Sequence, residues 1–560
     1  MVNDVVSAYF TRAESGMGRK EGAMSTTPKS FYEIAQRYPD RLAVVDADGT
    51  DHGTYGDLLA RVNAISNALR RDGLDAGDVV ALLTHNAPAF WEMELATGQV
   101  GMYIVPINTH LTPDEIAYIL RDSGSSTLVA HSDLAEHLTS IQVDLPENRY
   151  AIGGPVEGWR PYEDLCAGET DIPTDRRYGP VMGYTSGTTG RPRGVRRHVA
   201  GIDPERHAQG LVRSIRWGLG GPGGVHLVCS PLYHSAPGIF STAALHDGQT
   251  IVCRRRFDPE VTLRDIEHFQ VTNSHMVPTH FRRLLQLPTE IRRTFDPTSL
   301  RALVHAGAPC PAETKRDILA WVGPIVWEYY GATDGGLVSI VGPEEWLARP
   351  GTVGRPAPGV SVAVIDEVGA AQPPNTPGPV YLRGSFEFEY HRDPDKTAAS
   401  RRGPWTTAGD IGYLDDDGYL FLLDRRDDLI ISGGVNIYPR EIEERLLTHP
   451  DVTDVAVIGV PDPEWGQSIV AFVQPSADIM GDDKLAAELL AHCRQGLAAY
   501  KLPRHFKFRT SLPRTETGKL QRRLLRSDDA PQSDPALAHN PKARSTAISS
   551  ATTCFKQRST

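Results

Sequence analysis

Short apolar runs alternate with amphipathic stretches through the first part of the chain, and that alternation is the first guide to its fold. The run VVALL, 79–83, has no polar member and predicts a strand covered on both faces. AFWEMELATGQV, 89–100, predicts a helix, and YIVPI, 103–107, a second strand. TPDEIAYIL, 112–120, opens like a helix: Thr112 suits the N-cap, Pro113 the first turn, and Glu115 completes a capping box. LVAH, 128–131, follows as another strand. Strand, helix, strand in this rhythm predicts parallel strands joined by crossover helices, an α/β class.

Near residue 424 the pattern breaks. LLDRRDDLIISGGVN, 422–436, is a polar interruption, and an amphipathic helix restarts at about Pro439 in YPREIEERLL. Beyond it VAVIGV and IVAFVQ predict strands and DKLAAELLAHCRQGL a helix, in about a hundred residues, the size of one small α+β domain. The expected organisation is a large N-terminal α/β domain with parallel sheets over 28–426 and a smaller, mobile C-terminal domain over 427–527, with a hinge near Asp427. The weakly patterned polar ends, 1–27 and 528–560, are expected to be a disordered leader and tail.

Composition narrows the function classes. The net charge is −12 and the 58 Lys and Arg residues form no long basic run, which gives no electrostatic reason to expect nucleic acid or an acidic membrane as partner. Any anionic ligand must be met locally. The six cysteines lack paired CxxC spacing and read as free thiols in a reducing compartment, without a zinc site. No segment has the make-up of a signal peptide or reaches the roughly 18 apolar residues of a membrane span, so a cytoplasmic location is expected.

The densest chemical signal is YTSGTTGRPRGV, 184–195. Gly with Ser and Thr in a turn can aim backbone N–H groups and hydroxyls at phosphate oxygens. No Gly-Lys-Ser/Thr follows at the Walker A spacing. Taken alone, such a string could be a surface turn, but it has company in a fixed order: PLYHSAPG at 231–238, HAGAPC at 305–310, EYYGATD at 328–334, the stretch from TTAGD to YPREIE at 406–443, and PRTETGKLQRR at 513–523. Together these resemble the adenylate-forming superfamily of acyl-CoA synthetases, peptide-synthetase adenylation domains and luciferases, over about residues 28–527.

The resemblance implies roles residue by residue. Thr185, Ser186, Gly187, Thr188, Thr189, Gly190 and Arg193 would hold the phosphates of ATP, with Thr185 also close to the chemistry. Gly307, Ala308 and Pro309, with Tyr330, Gly331, Ala332 and Thr333, would receive the nucleotide, and Asp410 and Arg425 its ribose. Lys519 would bring a mobile ammonium to the carboxylate and α-phosphate. His234 would gate the acyl site rather than act as a base, and Asp427 would be the hinge. Gly433 and Gly434 would make room for the pantetheine arm of CoA, with Trp465 packing on its nucleotide end unless that ring is simply core.

Two positions depart from the family pattern. Arg193 stands where Lys is usual, keeping the charge in a planar, more extended shape. Asp334 stands where Glu is the expected Mg²⁺ ligand, retracting the carboxylate by roughly 1.5 Å. That leaves open an enzyme that adenylates weakly and takes preformed acyl-AMP. A luciferase-like oxygenase and a non-catalytic nucleotide-binding homologue are the readings from other classes; the second fits poorly with an intact Lys519 and SGTTG loop.

No Asp follows PLYHSAPGIF to pair an amino-acid amine, and HMVPTHFRRLL, 275–285, resembles segments of enzymes for apolar acids. The expected activity is therefore an ATP-dependent carboxylate–CoA ligase for an apolar acid, a fatty chain or a bulky aromatic or polycyclic acid, using ATP (or acyl-AMP), Mg²⁺ and CoA. A free-standing carrier protein as acceptor and a homodimer stay open as partners.

Overall fold

The computed structural model describes residues 30–48, 52–140, 144–185, 192–197, 201–332, 335–366, 368–384, 387–432, 434–477, 479–515 and 518–529. The expected leader, 1–27, lies outside these residues, as does the tail from 530 on. At the C-terminal boundary a helix, Arg522–Asp529, runs two residues past 527.

Two parallel sheets form the large domain. The first is five-stranded: Tyr103–Pro106, Val79–Leu83, Thr127–His131, Asn148–Ile152 and Arg160–Pro161 lie side by side, all parallel. VVALL is apolar throughout because both its faces are covered. Val80 and Leu82 point into a core shared with the helices Tyr55–Arg71 and Ala89–Val100, while Val79, Ala81 and Leu83 meet Ile116, Ile119 and Leu120 from the helix Pro113–Ser123. That last helix starts as its sequence predicts: Thr112 accepts from the Glu115 amide and the Glu115 carboxylate accepts from the Thr112 amide.

The second sheet has nine strands. Its parallel centre runs Leu42–Asp46, Thr250–Cys253, Val225–Val228, Asn273–Met276, Ala302–His305 and Val326–Ala332, and antiparallel strands close both edges. This order sets the candidate site. The turns after 228, 276, 305 and 332 all leave the sheet at the same end, the usual place for a ligand in an open parallel sheet. The helix Ser235–His246 covers this sheet, with Phe240, Ala243, Ala244 and Leu245 buried.

An antiparallel sheet built around Gly378–Arg383, Asp410–Leu414 and Leu420–Arg425 completes the large domain. The small domain follows as a hairpin, Ile430–Ser432 with Val435–Ile437, and a three-stranded sheet of Val452–Asp462, Gly466–Pro475 and His505–Phe508. The helices Pro439–Leu447 and Asp483–Arg494 pack on it through Ile442, Leu446, Leu485 and Leu489. Asp424, on the strand leading out of the large domain, accepts from the Arg440 amide at the start of the first of these helices.

Among the described residues no helix is long and apolar enough to cross a membrane, and Cys166, Cys229, Cys253, Cys310 and Cys493 are unpaired.

Burial leaves a mark on titration. Desolvation pulls His226 and His234 down to about 4 and His246, His275 and His280 down to about 3, so these imidazoles are neutral inside the fold. Between pH 6.5 and 4 the unfolded chain binds protons at these positions and the native chain does not, so stability falls as pH falls, by about 1.4 kcal/mol per histidine per pH unit. Burial also raises Glu94 to about 7 and Asp424 to about 6, which acts in the opposite direction with fewer groups. Melting curves are expected to stay nearly level from pH 8 to 7 and to fall in Tm as pH drops from 6.5 to 5; a flat or rising Tm from pH 6.5 to 5 would contradict this account.

Candidate active site

Asp410 and Arg425, both expected at the ribose, come together with Tyr330, expected among the residues that receive the nucleotide. Asp410 and Arg425 are partners in the antiparallel ladder, which sets them side by side, with Arg425 Nε 3.6 Å from Asp410 Oδ1. The Tyr330 hydroxyl, at the outgoing end of Val326–Ala332, donates to Asp410 Oδ2 at 2.5 Å. One carboxylate is thus held between a phenol and a guanidinium. Beside Tyr330, Gly331 is required by packing: a Cβ there would lie 2.5 Å from the Gly336 carbonyl oxygen. The parallel register of Ala302–His305 with Val326–Ala332 brings the turn containing Gly307, Ala308 and Pro309 next to the same segment. Gly307 makes that turn at φ +85°, in the left-handed region.

Beneath these two strand ends lies a buried ion pair that the sequence analysis missed. Lys315 Nζ sits 2.6 Å from Glu328 Oε2, with the Lys315 side chain fully buried over the Trp346 ring. His305 Nε2 is 3.6 Å from the same carboxylate, and burial followed by the Lys315 charge keeps His305 well below its ordinary pKa. A neutral imidazole and a paired Lys–Glu thus tie HAGAP to EYYGA from below. The available signal was periodicity: Lys315 shares a helical face with Ile318, Leu319 and Val322, where a solvated lysine has no place.

His234 stands at the N-cap of Ser235–His246, in a turn stapled by Asn86. The Asn86 amide donates to the carbonyls of Ser230 and Arg254 and accepts from the Leu232 amide. Burial first, then the nearby charges of Lys519 and His110, drives His234 down to about 4, and its Nε2 is buried with no hydrogen-bond partner. Burial thus leaves a neutral imidazole whose Nε2 meets no polar group among the described residues. Lys519, from the far end of the chain, is among the charges that depress it.

Lys519 rides on a tight hairpin. Thr515 N donates to Lys519 O, Gly518 N donates to Thr515 O, and Arg514 pairs with Leu520 across the bridge. Gly518, at φ +77°, presses on the large domain, where an added Cβ would fall 1.9 Å from Thr279 Oγ1.

Farther back, the rings of Trp217, Phe240 and Tyr329 meet with centroids 5.8–6.1 Å apart, joined by Trp327 and His275. Phe240 lies on the helix Ser235–His246, one turn beyond Ala236, so this aromatic cluster adjoins the helix that starts at His234.

Thr185 and Arg193 are opposite each other in a two-strand ladder, Gly183–Thr185 with Arg193–Arg197, so both flank the glycine-rich segment. Arg193 Nε lies 3.2 Å from Asp393 Oδ2. This gives the departure from lysine a physical sense: the five-donor fork can hold Asp393 with one edge and still present donors elsewhere, which a single ammonium does less well. Ser186, Gly187, Thr188, Thr189, Gly190, Thr333, Asp334 and Gly433 lie outside the described residues, as does the Asp427 side chain. Ala332 closes its strand beside Gly336. Gly434 and Trp465 are exposed on the small domain's hairpins, with the Trp465 ring 4.9 Å from the Arg504 guanidinium. The structure does not gather them with Lys519 and His234.

A second feature missed from sequence is a surface cleft of about 590 Å³ lined by Asp48, Arg254, Arg255, Arg256, Asp258 and Val261. Arg254 is neutralised by Asp265 and Asp48, and Arg255 lies 3.5 Å from Asp133. Arg256 has no ion pair among the described residues. Asn86 links this cleft to the His234 turn through its bond to the Arg254 carbonyl. The signal was the run RRR directly after an apolar strand.

Comparison with known proteins agrees with this geometry. Residues 31–389 match the AMP-binding enzyme family and residues 441–519 its C-terminal domain. The chain is 32% identical over 482 residues to a fatty acid–[acyl-carrier-protein] ligase, ScoC, of Streptomyces coeruleorubidus, covering 84% of this chain and 91% of that protein. It is 34% identical to a feruloyl-CoA synthase of an Amycolatopsis species, covering 83% and 92%. The solved amide bond synthetase McbA of Marinactinospora thermotolerans superposes with a TM-score of 0.77 at 27% identity, covering 90% of this chain and all of that one. The chain belongs to the AMP-binding enzyme family: it is an adenylate-forming enzyme on the plan of the ATP-dependent carboxylate–CoA ligases.

Proposed function

We propose that this enzyme activates an apolar, ring-bearing carboxylic acid as its acyl-adenylate and transfers the acyl group to CoA. The observation that carries the reading is that the Lys519 hairpin docks on the large domain at Thr279 while Tyr330 and Arg425 hold the Asp410 carboxylate that the resemblance assigns to the ribose.

In the first step a carboxylate oxygen bonds to the α-phosphorus as the bond to the bridging oxygen breaks and pyrophosphate leaves. Charge accumulates on phosphate oxygens, so fixed positive groups and aligned donors do most of the work. Asp410 accepts from the ribose hydroxyls and fixes the nucleotide. Arg193 and the glycine-rich segment beginning at Thr185 face the β- and γ-phosphates. Lys519 brings its ammonium to the reacting carboxylate and α-phosphate. His234, neutral and buried, closes the acyl side without competing for a proton. Mg²⁺ needs only one or two carboxylates beside substrate phosphates and retained waters. Asp334 would be that carboxylate, and the ion would neutralise phosphate charge.

In the second step the thiol sulfur bonds to the acyl carbon, AMP leaves, and the thiol proton passes to solvent. Arg256, without an ion pair among the described residues and in a cleft that Asn86 links to the His234 turn through the Arg254 carbonyl, supports a polyanionic thiol as acceptor. The rings of Trp217, Phe240 and Tyr329 favour a planar acid over a long flexible chain, since flat rings stack at low entropic cost. The feruloyl-CoA synthase relative supports that choice; ScoC keeps a fatty acid and a carrier protein in the test, and McbA an amine acceptor.

The test is a panel of aryl, polycyclic and fatty acids with ATP, Mg²⁺ and each acceptor, scored separately for acyl-AMP and acyl product by mass spectrometry. Aryl acids should give both acyl-AMP and the CoA ester, and absence of product from every acid would sink the proposal. Thioester from synthetic acyl-AMP without pyrophosphate exchange would instead point to Asp334 and a thioester-forming specialist. Lys519→Ala should lower pyrophosphate exchange by at least about 100-fold and leave thioester formation from acyl-AMP within a few-fold. Arg256→Ala should raise the KM for CoA about tenfold without changing that for ATP, and the two enzymes should use phosphate-free pantetheine equally; an unchanged CoA KM removes the cleft from the thiol site.

A further inference from the structure

Neighbouring arginines on the helix Pro278–Leu285 are used differently. Arg283 lies flat over Phe257, 4.9 Å from the ring centre, and belongs wholly to the large domain. Arg282 crosses to the small domain, where Nη2 donates to the Thr453 carbonyl and Nη1 lies 3.5 Å from Asp454 Oδ1. Asp454 is buried and carries a second arginine: Arg514 grips it with both forks, Nε to Oδ2 at 2.6 Å and Nη2 to Oδ1 at 2.8 Å. Arg514 is also the base of the Lys519 hairpin, since its Nη1 donates to the Gly518 carbonyl at 2.6 Å.

These contacts form one path. Thr279 and Arg282 are three residues apart and share a face of the same helix. Thr279 meets Gly518 at the tip of the hairpin, and Arg282 meets the carboxylate that clamps its base. Beside this contact a cleft of about 690 Å³ opens between the domains, lined by Gln286, Glu313 and Arg316 on one side and Glu444 and Thr448 on the other, with Arg282 and Thr453 meeting at its rim. Docking of the lysine hairpin therefore leans on a few directional contacts rather than on a broad apolar surface.

We propose that Arg282 is a positioning residue for adenylation, a latch that holds Asp454, Arg514 and the hairpin so that Lys519 reaches the acyl-phosphate site. This rests on the two-step reaction above. Arg282 touches no reacting atom, and thiol attack on acyl-AMP, which does not use Lys519, does not need it. A charge-assisted contact between partly buried groups is strong enough to shift the docked population about tenfold.

The test separates the half-reactions in the full-length enzyme. Arg282→Ala should lower kcat for pyrophosphate exchange about tenfold while thioester formation from synthetic acyl-AMP is unchanged or faster, which also shows that the variant is folded. Arg282→Lys, which keeps the charge but not the fork, should recover part of the loss. An equal fall in both half-reactions, or no fall in exchange, overturns the latch. Should the wild-type enzyme make no acyl-AMP from any acid, the functional reading fails instead, and spin labels at the exposed positions Glu290 and Lys484 still decide the matter. The distance distribution between them must broaden in Arg282→Ala, and an unchanged distribution overturns the proposal.

Discussion

A hairpin of the small domain carries Lys519 against the large domain, clamped at its base by Arg514 on Asp454 and stopped at its tip by Thr279. The proposed chemistry depends on that meeting. A carboxylate and a triphosphate repel each other, and cations between them, Lys519 and Mg²⁺, would make their approach favourable. Carrying one of those cations on a separate domain makes its position depend on interdomain contacts. Arg282 supplies polar ones, to Thr453 and Asp454.

The large domain, in contrast, is built to stay still. Asp410 and Arg425 are set side by side by strand register, Tyr330 is hydrogen-bonded to Asp410, and the strand ends at His305 and Tyr330 are tied from beneath by Lys315 and Glu328. Such a buried pair is not a cheap source of stability, because desolvating two charges offsets much of their attraction. Its use here is directional. The carboxylate joins the helix Ala312–Val322, the strand Ala302–His305 and the strand Val326–Ala332 at the level where the turns begin. Neutral histidines around it, His275 and His305 among them, add polar atoms without adding charge near the anionic substrates.

The departure at Arg193 has a structural partner that the sequence did not point to. Asp393 lies two hundred positions away and caps the helix Pro394–Ala399 while it pairs with Arg193. An arginine can satisfy Asp393 and keep donors for phosphate, so the substitution changes shape without surrendering the charge.

Local pattern made the elements legible. VVALL, the helix 89–100 and the capping box at Thr112 formed where they were expected, since burial on both faces, helical periodicity and capping are decided within a dozen residues. Ordered motifs likewise made the family legible, and the structure brings together Tyr330, Asp410 and Arg425, named from motifs about eighty residues apart. Lys315, Arg256 and Arg282 were not legible, although each lies beside a motif that was. A charged residue in sequence looks the same whether it is solvated, paired under a strand or reaching across to another domain. The sequence by itself determined the elements, the family and the chemistry offered at each motif. Only the tertiary structure decided which charges meet, because an ion pair depends on separation in space and on exclusion of water, and neither is encoded in the spacing of residues along the chain.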